Sequence, residues 1–325
     1  MMRLHLIALL SLLVILAIAM GYPELRSSWF AAFGHHDNTA HILFFEVRLP
    51  RLIMAVLAGS SLAVCGLMLQ TLFNNPLAGP SILGLTSGSH LFVAVFIMLS
   101  SGLTDFVLNI GITASAGLGA FLFSLVIVAI SRILKSGVSL LLTGMILGTF
   151  VSAITQLIES KADPNALKAF SIWSMGSLQQ PDSSDLLFIL PLVLSLLLVS
   201  FFLVKPMNAL ILGDLQARSL GVNIVRTRNG IIMTVAALTG IITAFCGPIA
   251  FVGLVVPNIV RYLYKTGNHF HLLTGTILLG AIFLLLCEFL IILLEPYFVI
   301  QINILTSIVG APLVIIFILK GMRHA

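Results

Sequence analysis

Apolar residues run through this chain in blocks long enough to cross a bilayer, separated by short breaks rich in charge, glycine and proline. A helix crossing the hydrocarbon core needs about 20 mostly apolar residues. Runs with few charges occupy residues 4–20, 52–73, 81–100, 107–131, 138–158, 186–204, 229–246, 249–264, 271–294 and 300–319. They predict ten membrane-spanning helices, with 249–264 short enough for a partial crossing. Lipid offers backbone amides no partner, so each run must satisfy its own hydrogen bonds as a helix. The expected fold is an all-α integral membrane protein, a single transmembrane domain over residues 1–325.

Composition supports the lipid setting. Hydrophobic residues are 59% of the 325, only 8% are charged, and mean hydropathy is +1.18. Soluble domains carry roughly 25% charge. A soluble enzyme, a nucleic-acid binder and a disordered scaffold are thereby excluded. Cys65, Cys246 and Cys287 sit in apolar runs without disulfide or zinc spacing, so no metal or cofactor site is expected.

Charge distribution orients the bundle. With ten spans, one side receives Arg3, Arg132, Lys135, Lys205, Arg218, Arg226, Arg228, Arg261, Lys265, Lys320 and Arg323, against the single acid Asp214. The other side receives Arg26, Arg48, Arg51, Lys161 and Lys168, against nine acids from Glu24 to Glu295. The basic side is the cytoplasmic one, which puts both termini inside. Arg3, the apolar run and Ala17-Ile18-Ala19 also resemble a cleavable signal peptide, but the run is long enough to be retained as a first helix.

Lys205 to Arg228 is the longest cytoplasmic stretch. Asp214 to Leu220 predicts a short amphipathic helix, with Leu215 and Ser219 on one side and Gly221 ending it. It is either a solvated turn with positive-inside charge or a knob for a cytoplasmic partner. Gly84-x-x-x-Gly88 and Gly144-x-x-x-Gly148 predict close helix approach, and Gly144 with Thr143 and Ser152 forms a weakly polar stripe that could line a path. Breaks at Asn74-Asn75-Pro76, Gly79-Pro80, Gly247-Pro248 and Val256-Pro257-Asn258 interrupt apolar stretches; such breaks belong to kinked helices or to backbone lining a cavity.

Glu288 lies inside a span, where an acid is expensive and is either functional or a structural acid bonded to a neighbouring helix. Arg48 and Arg51 share a helical face on the acidic, outer side and can either receive carboxylates or snorkel to the interface. His35, His36 and His41 near Asp37 match no specific metal site and read as a solvated loop. The chain has neither a G-x-x-x-x-G-K-[ST] phosphate loop nor a serine–histidine or paired-carboxylate constellation on one side, so no chemistry of its own is expected.

Four spaced motifs carry a family resemblance. They are R-L-P-R at 48–51 with A-G-S-S-L-A-V-C-G-L-M-L-Q-T-L-F-N-N-P-L-A-G-P-S-I-L-G from Ala58, L-G-D-L-Q-A-R-S-L-G-V-N from Leu212, G-P-I-A-F-V-G-L-V-V-P-N-I-V-R from Gly247, and I-V-G-A-P from Ile308. Together they resemble the FecCD-type permeases of ABC importers for iron-siderophore, haem and cobalamin. The resemblance implies a type II importer permease with ten helices, in the bacterial inner membrane, paired with an identical or closely related second permease. It implies two cytoplasmic ATPase subunits and a periplasmic or lipoprotein binding protein that delivers the chelate, and no nucleic acid.

Residue by residue, it implies that Gly213, Asp214, Leu215, Ala217, Arg218, Leu220 and Gly221 form the element that seats in the ATPase. Arg48 and Arg51 match the arginines that meet glutamates of the binding protein, and Leu141, Thr143 and Gly144 match positions lining the translocation path. The family's ninth-span aspartate and arginine read here as Glu288 and Ile292, its N-P-L-A-D-P carries Gly79 in place of aspartate, its V-P-H ends in Asn258, and its P-x-G before the last span reads Gln301-Ile302-Asn303. The expected function is the permease of an ATP-driven iron-chelate importer, with a cobalamin permease or a proton-coupled carrier using Glu288 as alternatives.

Overall fold

Every element among the described residues is a helix; six of the helices are long and apolar enough to cross a membrane, and three shorter ones are also apolar. The computed structural model describes residues 4–12, 43–100, 105–134, 136–179, 181, 183–295 and 297–322. A helical stretch over 4–12 (α1) opens the chain. A π-helical turn, Leu43–Arg48, leads directly into α2 (Leu49–Leu72), with Pro50 in the first turn where its missing N–H costs nothing. There follow α3 (Leu85–Leu99), α4 (Asp105–Ile133), α5 (Gly137–Glu159), α6 (Pro164–Ser174), α7 (Ser183–Phe202), α8 (Val204–Leu210) and α9 (Asp214–Ser219). The chain closes with α10 (Ile224–Cys246), α11 (Val252–Tyr264), α12 (His269–Leu294) and α13 (Ile302–Met322).

The predicted spans and the observed helices agree, with instructive shifts. The first span, 4–20, is helical over 4–12; its remainder, the 17–19 cleavage motif and His35, His36 and His41 lie outside the described residues. The third begins at Leu85 rather than 81, because Gly84 adopts a left-handed φ of +83° and turns the chain into α3. The eighth is a 13-residue helix, about 20 Å long and too short for the core by itself. The sequence reading has no element over α6, although Asp163-Pro164 is a helix-start signature: the Asp163 carboxylate accepts from Asn165 N at 2.9 Å and Ala166 N at 3.1 Å.

Burial divides the long helices. Nearly all of α2 is enclosed, 89% of its central window, against 22% for α5 and for α7. An enclosed α2 requires close neighbours, and lipid supplies no hydrophobic drive between helices, so backbone proximity has to do the packing. Gly59 of α2 lies against Gly280 of α12, and Gly66 of α2 against Gly253 of α11, each so close that a Cβ would overlap the facing carbonyl. On the far side, Gly88 of α3 meets Gly119 of α4 in the same way, and Gly84 meets Gly148 of α5. Both G-x-x-x-G motifs therefore pack helices within this one chain.

The breaks inside the bundle keep their backbone satisfied by neighbours, as the absence of water demands. Ser177 N donates to Cys246 O at 2.7 Å, Ala250 N to Asn303 Oδ1 at 3.1 Å and Asn303 N to Met175 O at 3.3 Å. Segments 79–82 and 249–254 then face one another across a cavity of about 200 Å³, into which Thr86, Thr239 and Thr243 project.

Candidate functional site

The 205–228 element is built from two glycines and a short helix. Gly213 (φ +96°) and Gly221 (φ +81°) hold left-handed backbone at either end of α9, which only glycine adopts without strain. Between them Ala217 is fully buried, while Asp214, Leu215, Gln216, Arg218 and Ser219 are exposed. Leu215 is 83% exposed and Leu220 64%, next to the exposed Ile211 and Leu212. Such an apolar knob outside the hydrocarbon marks a contact surface. Its base is anchored: Arg228 Nη1 donates to Leu134 O at 2.8 Å, and Nη2 stands 4.0 Å from the Asp214 carboxylate. The predicted helix is thus present, with Leu220 as its C-cap.

On the opposite end of α2 the structure brings together two residues that the sequence reading kept apart. Arg51 Nε donates to the Glu288 carboxylate, and the two side chains are only 11% and 2% exposed. Gln179 lies against the same guanidinium; with its amide oxygen turned inward, it accepts from Nη1 at 2.8 Å and Nη2 at 3.0 Å. Arg51 is therefore enclosed rather than presented outward alongside Arg48, because Glu288 supplies the carboxylate from within. Arg48 is half-buried in the last turn of the π-helical segment. Ile292, one turn beyond Glu288, brings no charge to this end.

The expected path residues divide by face. Leu141 and Gly144 are buried, and a Cβ on Gly144 would meet the side chain of Leu83 at 2.8 Å, so these two pack inward. Thr143 is half-buried and donates to Ser139 O at 2.8 Å. The uncovered stripe of α5 is one helical step away, on Leu142, Met145, Ile146, Thr149 and Phe150. The i, i+3, i+4 spacing of these residues was visible in sequence, but which face met α3 was not.

Sequence reasoning missed a polar cluster at the C-terminal end of α2. Gln70 donates to Gly253 O at 3.4 Å and Leu254 O at 3.3 Å and accepts from Arg261, while Thr71 meets His269. The signal in the sequence was a polar pair, Gln70-Thr71, near the end of a helix whose other polar residues are Arg51, Ser60 and Ser61. Among the described residues no group of three His, Cys, Asp or Glu side chains could hold a metal ion.

A knob at one end, an uncovered helix face along the side and a close-packed α2 at the centre describe a membrane subunit made to bind others. The pattern of the FecCD transport family matches residues 7–320. The chain belongs to that family. It is 36% identical over 284 residues to a probable iron chelatin transport system permease protein of Helicobacter pylori, covering 86% of this chain and 84% of that one. It is 35% identical over 324 residues to the hemin transport system permease protein HmuU of Yersinia pestis, covering 98% and 96%. A solved inward-facing structure of an ABC transporter assigned to the metal-chelate type superposes with a TM-score of 0.86 at 30% identity, covering 98% of this chain and all of that one. The fold of this FecCD protein is that of an ABC transporter permease, embedded in the membrane through its apolar helices.

Proposed function

We propose that this FecCD protein is the permease subunit of an ATP-driven importer that moves an iron chelate, siderophore-bound or haem, inward across the cytoplasmic membrane by alternating access. The permease performs no chemistry. It converts movement of a partner ATPase into exposure of one face or the other. The observation that carries this reading is the α9 knob, whose Leu215 and Leu220 are exposed between two left-handed glycines and whose base is tied to the bundle through Arg228. A rigid, anchored apolar tip suits insertion into a cleft of a partner.

The positive-inside tally puts this knob and both termini in the cytoplasm. The uncovered stripe of α5, with Thr143 at its edge, faces a second permease copy and the path between the two. Outside, Arg48 meets a carboxylate of the binding protein, and Arg51 stands behind it, held by Glu288. The names of the relatives, iron chelatin and hemin permeases, support the cargo class. A proton-coupled carrier is the weaker reading, since the one acid inside a span, Glu288, is committed to the Arg51 guanidinium.

The test is reconstitution of the permease with its ATPase and binding protein in proteoliposomes, supplied with ferric siderophore, haemin or cyanocobalamin. ATP-dependent uptake that vanadate stops and a protonophore leaves intact is expected, for haemin or the siderophore. Uptake without the ATPase, or collapse of uptake by the protonophore at constant ATP, would sink the proposal.

A further inference from the structure

The cytoplasmic end of α2 is joined to the lever side of the chain by one buried histidine. His269, the first residue of α12, has no exposed surface. Its backbone N–H donates to Asn208 Oδ1 at 2.8 Å, and its Nδ1 lies 2.9 Å from the same oxygen. A backbone N–H can only donate, so the facing atom is the amide oxygen and Nδ1 must carry a proton. The ring's other nitrogen, Nε2, sits 2.8 Å from the hydroxyl of Thr71 in the last turn of α2. Both ring nitrogens are thus engaged, and the ring is fixed between two elements far apart in sequence.

Those two elements have different roles. Asn208 belongs to α8, two residues before the end of that short helix and five before Gly213, and α8 packs against α9, α12 and α2. Thr71 ends the most enclosed helix of the bundle, next to Gln70, whose amide holds α11 through Gly253 O and Leu254 O and whose oxygen accepts from Arg261. Just beyond, Asn258 of α11 donates to Pro76 O at 3.0 Å. A displacement of α8 therefore reaches, through this imidazole as well as through its own packing on α2, the end of α2 that leads into the break at 74–80 and the start of α11 that follows the break at 247–251. Those breaks flank the internal cavity, where the bundle has room to move.

We infer that His269 is a positioning residue that transmits movement of the 205–221 element, through Asn208 on one side and Thr71 on the other, to the breaks at 74–80 after α2 and 247–251 before α11. The inference rests on the importer reading above. Proteins change state by moving packed elements between discrete arrangements, and a hydrogen-bonded side chain with no exposed surface couples such elements directly. If the relay is cut at Thr71, the lever should still move when nucleotide binds, while the far end of the bundle no longer follows.

The test uses the permease assembled with its ATPase in nanodiscs, where both faces are reachable. Single cysteines replace Lys205, beside the lever, and Leu157, exposed near the outer end of α5; the three native cysteines are buried. Maleimide labelling rates are measured with and without ATP and vanadate. In the parent complex nucleotide should change both rates. In Thr71→Val, which keeps the side-chain shape, and in Asn208→Ala, the change at position 205 should persist and the change at 157 should be lost. Thr71→Ser should restore it. A wild-type response at 157 in both variants, or loss of the response at both positions, would overturn the relay alone. A parent complex in which neither position responds to nucleotide would overturn the importer reading, and the relay with it.

Discussion

Arg51 and Glu288, 237 positions apart in the chain, form an ion pair enclosed between the outer part of α2 and α12. Neither charge is tolerable alone in lipid, but together they satisfy one another. Replacing Glu288 by Gln takes away the carboxylate in direct contact with the enclosed guanidinium, leaving only the more distant Glu295, and should cost about 3–5 kcal/mol of stability. The double variant Arg51→Met/Glu288→Leu removes both charges at similar volume and should recover most of that loss. Thermal unfolding in detergent micelles measures both. A double-variant loss equal to the sum of the Arg51→Met and Glu288→Leu losses would show that the two residues do not act as a pair.

That ion pair also marks where sequence reading stops. The helices were legible because each apolar run is long and its ends carry Gly, Pro or charge. The left-handed glycines around α9 were legible as a stop signal at Gly221, and the short helix between 214 and 220 followed from its amphipathic pattern. Partners across the bundle were not, because nothing in α2 states that residue 51 will meet residue 288, or that Thr71 will meet His269. Leu141 and Gly144 were assigned to a path, with Thr143, through the family resemblance of the fifth span. A 100° step around the helix axis decides between path and packing, and only the position of α3 fixes that rotation. The α6 helix was missed for a different reason: 11 residues, with Lys168 among them, fall below any membrane-span criterion, despite a clear N-cap at Asp163.

Glycines at helix crossings should be intolerant, and one glycine outside them tolerant. A methyl group on Gly66 or Gly280 would overlap the backbone of Gly253 or Gly59, and backbone cannot yield as a side-chain tip can. Gly66→Ala and Gly280→Ala should each cost about 1–3 kcal/mol or more through forced separation of α2 from its neighbours. Gly79 has nothing within 4 Å of where its Cβ would stand, so Gly79→Ala should express as the parent does. Membrane yield and a single symmetric gel-filtration peak are the measures. A well-folded Gly66→Ala protein would mean that α2 and α11 are less tightly apposed than described.

The exposed tip of α9 predicts how the ATPase is held. Burying a leucine of this exposure contributes about 1.5–3 kcal/mol, equivalent to roughly ten- to a hundredfold in affinity. Leu215→Asp should therefore weaken capture of the purified ATPase by permease in nanodiscs by at least that factor, with the permease itself unaffected, since the side chain is 83% exposed. Charge reversal at Asp214 and Arg218 together should leave assembly largely in place but separate ATP hydrolysis from uptake, because Asp214 also faces Arg228 at the base of the knob. Unchanged ATPase affinity in Leu215→Asp, or unchanged uptake per ATP in the double reversal, would remove α9 from the coupling role.

At the outer face the two arginines should separate cleanly, although they lie one turn apart. Arg48 is half-buried at the mouth of α2, and a glutamate there would confront an acidic binding-protein surface with like charge. Arg48→Glu should slow association of the binding protein, most at low ionic strength, where screening over about 10 Å is weakest. Arg51→Glu should behave differently, since its new carboxylate would face Glu288 inside the bundle and destabilise the permease before any partner arrives. Titration of binding protein onto permease in nanodiscs at two salt concentrations, with melting curves of both variants, distinguishes the cases. Association that is equally fast for Arg48→Glu and the parent at low salt would place the docking charge elsewhere, and a normally stable Arg51→Glu would contradict the enclosed pair.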